Sequence, residues 1–210
     1  MIKVLLADDH AVVRHGLTKI LTEESGTFTF GEAGNGAEVF ELVRKQKWDI
    51  VVMDVTMPGR NGIEVLKELK RLHKHLPVLI LSFHPEDQYA IRALRNGASG
   101  YITKASAPEE LVKAIHKILR GEKYISADLA KKIPFYLDPE TDQPPHEKLS
   151  DREYQVLCML ASGKASKDIA EELSLSVKSI STYRSRILEK FNLKTNAELI
   201  HYAIQNNLVE

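Results

Sequence analysis

Residues 51–59 read VVMDVTMPG, and in this stretch an apolar run ends on a carboxylate. Together with Ile50, residues 51–53 form a short, largely β-branched run that is typical of a buried strand. A charge beside a core is costly unless it is paired, bound to a cation, or placed where the strand opens onto a crevice. Asp54 is therefore a candidate functional residue whose neighbours must come from the rest of the chain.

Other short apolar runs alternate with amphipathic segments between residues 1 and 121. The runs are VLLA (4–7), TFTFGEA (27–33), IVVM (50–53), VLILS (78–82) and GYIT (100–103). The segments between them show helical spacing, as in GIEVLKELKRL (62–72), where apolar residues recur every three or four positions. This βαβ alternation predicts an α/β domain with a parallel sheet covered by helices on both faces.

Composition limits the partners of the chain. The 210 residues carry 29 basic and 29 acidic side chains, so no global field draws the protein to nucleic acid or to an anionic membrane. Any nucleic-acid surface must be local. The single cysteine, Cys158, allows no intramolecular disulfide. The apolar run in the N-terminal MIKVLLADD is too short for a signal peptide or a membrane span. These features predict a cytoplasmic protein with no membrane partner.

The composition changes after residue 121. Residues 122–147 are rich in prolines and acids and show little periodicity, which is typical of a linker. Beyond them, Ser150 and Glu153 fit a capping box that begins a helix, and the remaining patterns are short helices without strands. We therefore predict two domains, 1–121 and 148–210, joined by a linker over 122–147.

Polar side chains follow several of the predicted strands. In an open parallel sheet, ligands bind at the carboxyl ends of the strands, where the strand order reverses. If strands 1 and 3 are neighbours, Asp8 and Asp9 converge with Asp54, and three carboxylates repel one another unless a divalent cation such as Mg²⁺ lies among them. Ser82 and Lys104 could bind a phosphoryl group there. Each residue taken singly also fits a turn, a helix cap or a solvated position.

Four motifs in residues 1–121 resemble those of two-component response-regulator receiver domains: ADD (7–9), MDVTMPG (53–59), LS (81–82) and GYITK (100–104). The resemblance implies a flavodoxin-like fold with strand order 2-1-3-4-5, and phosphorylation of Asp54 by a histidine kinase or a small phosphodonor. It implies that Mg²⁺ is bound by Asp9, Asp54 and the carbonyl of Thr56, with Asp8 in support. It also implies a switch in which Ser82 moves to the phosphoryl group and Tyr101 turns inward.

The segment KASKDIAEELSLSVKSISTYRSRILEKFN (164–192) predicts two helices joined by a tight turn, the second capped by Ser176. Basic residues outnumber the single acid, Glu189, along the second helix and just beyond it; they are Lys178, Arg184, Arg186, Lys190 and Lys194. A basic helix face is often merely solvated. The helix-turn-helix layout favours DNA binding instead.

Residues 148–210 also resemble the LuxR-type DNA-binding domain, in LSDREYQVLCMLASG (149–163) and in the helix-turn-helix segment, so the whole chain is similar to NarL/FixJ-class transcriptional regulators. The resemblance implies that the second helix enters the major groove with Ser181, Thr182 and Ser185 near base edges. The residues that would grip phosphates or flank the groove are Lys178, Ser179, Tyr183, Arg184, Arg186 and Lys190. The last helix (196–208) would form a homodimer on double-stranded DNA, although its apolar stripe could simply cover its own core.

Two other functions stay open. A magnesium-dependent phosphohydrolase of the haloacid-dehalogenase type also uses an aspartyl phosphate, but it needs a D-x-D pattern after strand 1, where this chain has adjacent acids. A receiver-linked helical module could bind protein rather than DNA, and the basic second helix argues against that function. The preferred interpretation is a phosphorylation-controlled transcription regulator that is not an enzyme.

Overall fold

The computed structural model describes residues 1–23, 28–83, 86–127, 129–131, 133, 144–206 and 208–209. The chain divides into two compact units, Met1–Lys131 and Lys132–Glu210. Each unit is built around secondary structure of a different kind, as the change in hydrophobic periodicity along the sequence predicts.

The first unit contains a five-stranded parallel sheet in the order β2-β1-β3-β4-β5. Its strands are β1 (Ile2–Ala7), β2 (Phe28–Ala33), β3 (Ile50–Asp54), β4 (Val78–Ser82) and β5 (Gly100–Thr103). The five predicted strands and their order are confirmed. Because the strand order reverses at β1, the carboxyl ends of β1 and β3 border the crevice where such sheets bind ligands.

Five helices cover the sheet: α1 (Ala11–Glu23), α2 (Gly36–Lys45), α3 (Gly62–Leu72), α4 (Glu86–Arg95) and α5 (Ala107–Leu119). All five residues of β3 and all five of β4 are buried, which is the pattern of strands covered on both faces. Asn61 and Glu64 form a capping box at the start of α3, directly after the loop that follows Asp54. The crevice is thus bounded by well-anchored elements.

Residues beyond α5 stay with the first unit as far as Lys131. The N–H of Tyr124 donates to the carbonyl of Ser99, and the N–H of Tyr101 donates to the carbonyl of Tyr124, both at 3.0 Å. This pairing at the edge of β5 lies inside the predicted linker 122–147, because composition does not reveal a backbone bridge of one residue. Residues 128, 132 and 134–143 of that linker lie outside the described residues, and its boundaries stay a prediction.

The second unit is helical throughout its described residues. After a 3₁₀ turn at Pro145–Lys148, it contains α6 (Asp151–Ala161), α7 (Ser166–Glu172), α8 (Val177–Phe191) and α9 (Asn196–Gln205). The capping box of Ser150 and Glu153 and the cap of Ser176 on α8 are confirmed. α7 and α8 pack against each other, and Ile169 and Ile187 are fully buried, so the two helices form the predicted helix-turn-helix. No helix in the described ranges is long and apolar enough to cross a membrane.

Gly62 is required where the chain turns from β3 into α3. Its N–H donates to the carbonyl of Val55 at 2.8 Å, and a Cβ at this position would overlap the carbonyl oxygen of Asp54. Gly62→Ala should therefore lower the free energy of unfolding by about 1–3 kcal/mol, as overpacking does in well-packed cores. Urea unfolding measures the change.

Gly16 provides the matched control, because it lies in α1 and a Cβ added there would meet nothing within 4 Å. Gly16→Ala should be neutral or should stabilise the protein by about 0.5–1 kcal/mol, since alanine favours the helix. Equal effects of the two substitutions would contradict the close approach at Gly62.

Candidate functional site

The crevice is organised by Lys104, which follows β5. Its Nζ lies 2.8 Å from Oδ2 of Asp54 and 2.5 Å from Oδ2 of Asp8. The three side chains are almost completely buried, with 5% of Lys104 and 3% of Asp54 exposed. The sequence prediction that the ends of β1, β3 and β5 bring these residues together is therefore matched by the structure.

The other carboxylate oxygen of Asp54, Oδ1, has no hydrogen-bond partner among the described residues, although it is buried. Burial is the largest effect on this carboxyl and raises its pKa from 3.8 to about 6. The charge and hydrogen bond of Lys104 and the amide of Thr56 lower the pKa, whereas the charge of Asp8 raises it. A buried acceptor without a donor is a position suited to ligand binding or to reaction.

Asp9 and His10 complete the acidic edge of the crevice. The carboxylate of Asp9 is one-third exposed, and its Oδ1 lies 2.9 Å from Nδ1 of His10. The backbone N–H of His10 donates to Oδ1 of Asp8 at 2.8 Å. Ligand atoms of Asp8, Asp9 and His10 lie within 4.8 Å of one another. Carboxylate oxygens on Asp8 and Asp9, beside the carboxylate of Asp54, fit the oxygen ligands that Mg²⁺ prefers.

Arg14 of α1 anchors the acidic edge of the crevice, and the sequence motifs do not predict this role. Its Nη1 donates to the carbonyl of Asp8 at 2.7 Å, and its Nε donates to Glu32 of β2, also at 2.7 Å. The only signal in the sequence is its spacing of one helical turn after His10. That spacing does not reveal a contact with a backbone carbonyl.

Ser82 and Tyr101, the predicted switch residues, are both fully buried. Ser82 ends β4, and its carbonyl accepts a hydrogen bond from the N–H of Lys104 at 2.7 Å. Tyr101 lies in β5 opposite Ile80 of β4. The two residues therefore lie on adjacent strands, with Ser82 at the crevice and Tyr101 nearer the edge that Tyr124 extends.

The predicted DNA-contact residues of α8 fall into two groups. Lys178, Ser181, Thr182, Ser185, Arg186 and Lys190 are exposed, as a groove-facing helix requires, whereas Ser179, Tyr183 and Arg184 are partly buried. Two of the basic residues have partners within the unit. Nε of Arg184 donates to Asn196 at 2.5 Å, and Nζ of Lys190 lies 2.7 Å from Glu153, which belongs to the capping box of α6.

Comparison with known proteins agrees with the division of the chain into two units. The family model of the response regulator receiver domain matches residues 4–116, and that of bacterial regulatory proteins of the luxR family matches residues 147–203. A receiver fold with an acidic crevice, followed by a helix-turn-helix, defines the class of two-component DNA-binding transcription regulators. The chain belongs to the NarL/FixJ-class response regulators, with a receiver domain and a LuxR-type DNA-binding domain.

The similarity to known proteins extends over almost the whole chain. Response regulator UvrY of Escherichia coli is 36% identical over 209 residues, covering 99% of this chain and 96% of that protein. Response regulator GacA of Pseudomonas aeruginosa is 36% identical and covers 100% and 99%. RcsB of Salmonella enterica serovar Typhimurium, in a structure bound to promoter P1flhDC with phosphomimetic BeF3⁻, has a TM-score of 0.67 at 26% identity, covering 96% and 97%. These matches favour transcription regulation over the phosphohydrolase and over the protein-binding module.

The raised pKa of Asp54 makes a specific prediction for stability. Because the folded state holds this proton more tightly than the unfolded state, the contribution of Asp54 to stability falls as the pH rises from about 4 to about 6. In EDTA, Asp54→Asn should therefore gain stability relative to the parent over this range. Each pKa unit is worth about 1.4 kcal/mol, so the gain reaches at most about 3 kcal/mol.

Urea unfolding of both proteins between pH 4 and pH 7 measures this difference. Below the unfolded-state pKa of 3.8, the difference in unfolding free energy between the two proteins no longer changes with pH. The Asp54 carboxyl is then protonated in both the folded and the unfolded parent. Parallel stability curves across the whole range would contradict the raised pKa.

Proposed function

We propose that the receiver unit accepts a phosphoryl group on Asp54 and that this modification controls DNA binding by the helix-turn-helix. The observation that carries the proposal is that the two carboxylate oxygens of Asp54 have different hydrogen-bond environments. Lys104 holds Oδ2, whereas Oδ1 is buried without a hydrogen-bond donor among the described residues. An oxygen with no donor keeps its lone pairs available for attack on phosphorus.

In the proposed step, Oδ1 of Asp54 attacks the phosphorus of a phosphohistidine on a sensor histidine kinase, or of a small phosphodonor. An oxygen–phosphorus bond forms, the bond from phosphorus to the donor atom breaks, and the leaving group keeps the electron pair. Lys104 neutralises charge on the transferred group, and the hydroxyl of Ser82 is the hydrogen-bond donor assigned to its oxygens.

Receiver domains typically use Mg²⁺ at their acidic pocket, and the residues here suit it. Asp8, Asp9, Asp54 and the carbonyl of Thr56 are the proposed ligands, and the bound ion would neutralise negative charge on the phosphoryl oxygens. The need for a cation follows from charge, because the buried ammonium of Lys104 contacts two carboxylates and Asp9 adds a third at the acidic edge. The crevice keeps a net negative charge until a cation enters.

The proposed switch runs from Ser82 to Tyr101. Movement of the Ser82 hydroxyl toward the phosphoryl group would change the packing beside β5, where Tyr101 is buried. The backbone of Tyr101 is hydrogen-bonded to Tyr124, which belongs to the segment that leads out of α5. A displacement at Tyr101 would therefore reach the chain segment that continues toward the second unit.

We assign the DNA-reading role to the exposed face of α8. Lys178 and Arg186 are the proposed phosphate contacts, and Ser181, Thr182 and Ser185 are the proposed base-edge contacts, since backbone contacts position a helix and base contacts specify the sequence. Ser179 and Tyr183 would flank the groove. Arg184 and Lys190 would first have to release Asn196 and Glu153. The similarity to promoter-bound RcsB supports this assignment.

A homodimer through α9 is part of the proposal. Leu199 and Ala203 are buried in the core of the unit, while Ile204 of the same helix is 54% exposed. An exposed large aliphatic residue on the last helix suits an isologous contact, in which the same patch of each copy meets its equivalent. Two copies related in this way would present two recognition helices to a two-fold DNA site.

Asp54→Asn should abolish phosphorylation, because an amide cannot form the acyl phosphate. The measurement is the mass of the intact protein after incubation with acetyl phosphate and Mg²⁺. Asp49→Asn is the matched control, because exposed Asp49 immediately precedes the same strand, and it should be labelled like the parent. Undiminished labelling of the Asp54 variant would refute the acceptor assignment.

Lys178→Ala and Arg186→Ala should each weaken binding to mixed-sequence double-stranded DNA and reduce the slope of log affinity against log salt by about 1. Fluorescence anisotropy over a series of salt concentrations measures both effects. Lys164→Ala is the control, because Lys164 lies outside α8 and pairs with Glu172, so its slope should match that of the parent. Unchanged slopes in both α8 variants would refute the groove-facing assignment.

A further inference from the structure

Phe83 is an unusual residue to find beside the buried crevice. It directly follows Ser82, and 69% of it is exposed, so its ring contributes little to the core. A single exposed apolar residue is ordinary at a protein surface, so exposure alone assigns no role to this ring. What distinguishes Phe83 is its contact with Lys104.

The ring of Phe83 lies against the ammonium of Lys104, with Nζ 4.4 Å from the ring centroid. An ammonium within about 6 Å of the face of an aromatic ring is attracted by its negative quadrupole. The ammonium has three N–H groups. Two carboxylates, those of Asp54 and Asp8, lie within hydrogen-bond distance of Nζ, so the ring stands as a third neighbour of the charge.

We propose that Phe83 is a positioning residue for phosphoryl transfer, whose aromatic face holds the Lys104 ammonium at the crevice for the incoming phosphoryl oxygens. This inference rests on the proposed function of Asp54. When a phosphodonor arrives, Lys104 has to exchange a carboxylate contact for a contact with the donor. The π face keeps the ammonium in place during that exchange, because its attraction is broad in direction and does not compete for a specific oxygen.

A purely steric role for Phe83 predicts different behaviour. If the ring only excluded water from the crevice, leucine would serve as well, since it is apolar and branched. If the quadrupole holds Lys104, then tyrosine and tryptophan should replace phenylalanine, and leucine should not. The comparison of Phe83→Leu with Phe83→Tyr and Phe83→Trp therefore separates the two roles.

The first experiment measures the phosphorylation rate of the full chain against acetyl phosphate concentration in the presence of Mg²⁺. Phe83→Leu should raise the half-saturating donor concentration by about threefold to fivefold, as expected for loss of a contact of this kind, with little change in the maximal rate. The tyrosine and tryptophan variants should match the parent. Leu72→Ala, which trims an exposed aliphatic residue at the end of α3, is the control and should also match it.

Equal half-saturation in the leucine variant and the parent would overturn the proposal, and so would an equal loss in the leucine and tyrosine variants. The Asp54→Asn variant is measured in parallel in the same phosphorylation assay. If the parent is not labelled, or if the Asp54 variant is labelled equally, the proposed function fails instead, and the two failures are thereby distinguished.

The second measurement does not depend on phosphorylation. A double-mutant cycle combines Phe83→Leu with Lys104→Met and follows urea unfolding of all four proteins. Phe83→Leu should lower the unfolding midpoint when Lys104 is present and should leave it unchanged in the Lys104→Met background. Additive shifts would show that the ring and the ammonium are not coupled and would overturn the proposal.

Discussion

The contact of the Lys104 ammonium with Asp54 and Asp8 is the interaction on which the receiver crevice depends. Two buried carboxylates cannot both stay ionised side by side without a compensating cation. Lys104 supplies one positive charge, which is enough to hold the pair together and too little to neutralise the acidic edge with Asp9. The remaining negative charge and the unpartnered Oδ1 of Asp54 are what suit the crevice to a divalent cation and a phosphoryl group.

The fold maintains this arrangement by anchoring each contributing strand end separately. Gly62 lets the chain pass close to the carbonyl of Asp54, and Arg14 binds the carbonyl of Asp8. The N–H of Lys104 is held by the carbonyl of Ser82. Backbone positions set by hydrogen bonds leave the side-chain oxygens free to exchange partners. The crevice can therefore change its ligands while the sheet beneath it stays the same.

In the second unit, the basic residues of α8 are divided between the fold and the surface. Lys190 binds the capping-box carboxylate of α6, and Arg184 binds Asn196 at the start of α9, whereas Lys178 and Arg186 are exposed and have no side-chain partner among the described residues. A count of charges along the helix treats all four alike and so overestimates the charge that is free to meet DNA phosphates. The distinction matters because only exposed, unpaired cations release counterions on binding without breaking an internal contact.

The amino-acid sequence alone is enough to predict the five strands, their order through the resemblance, the convergence of Asp8 and Asp54, and the helix-turn-helix with its caps. These features follow from local periodicity and from short motifs at strand ends, so neighbouring residues suffice to predict them. Three-dimensional packing was needed to show that Lys104 holds one oxygen of Asp54 while the other has no donor among the described residues, and that Phe83 faces the ammonium. The same holds for Tyr124 extending the sheet edge and for Lys190 pairing with Glu153. Those contacts depend on distances and burial between groups that are mostly remote along the chain, and no local pattern records them.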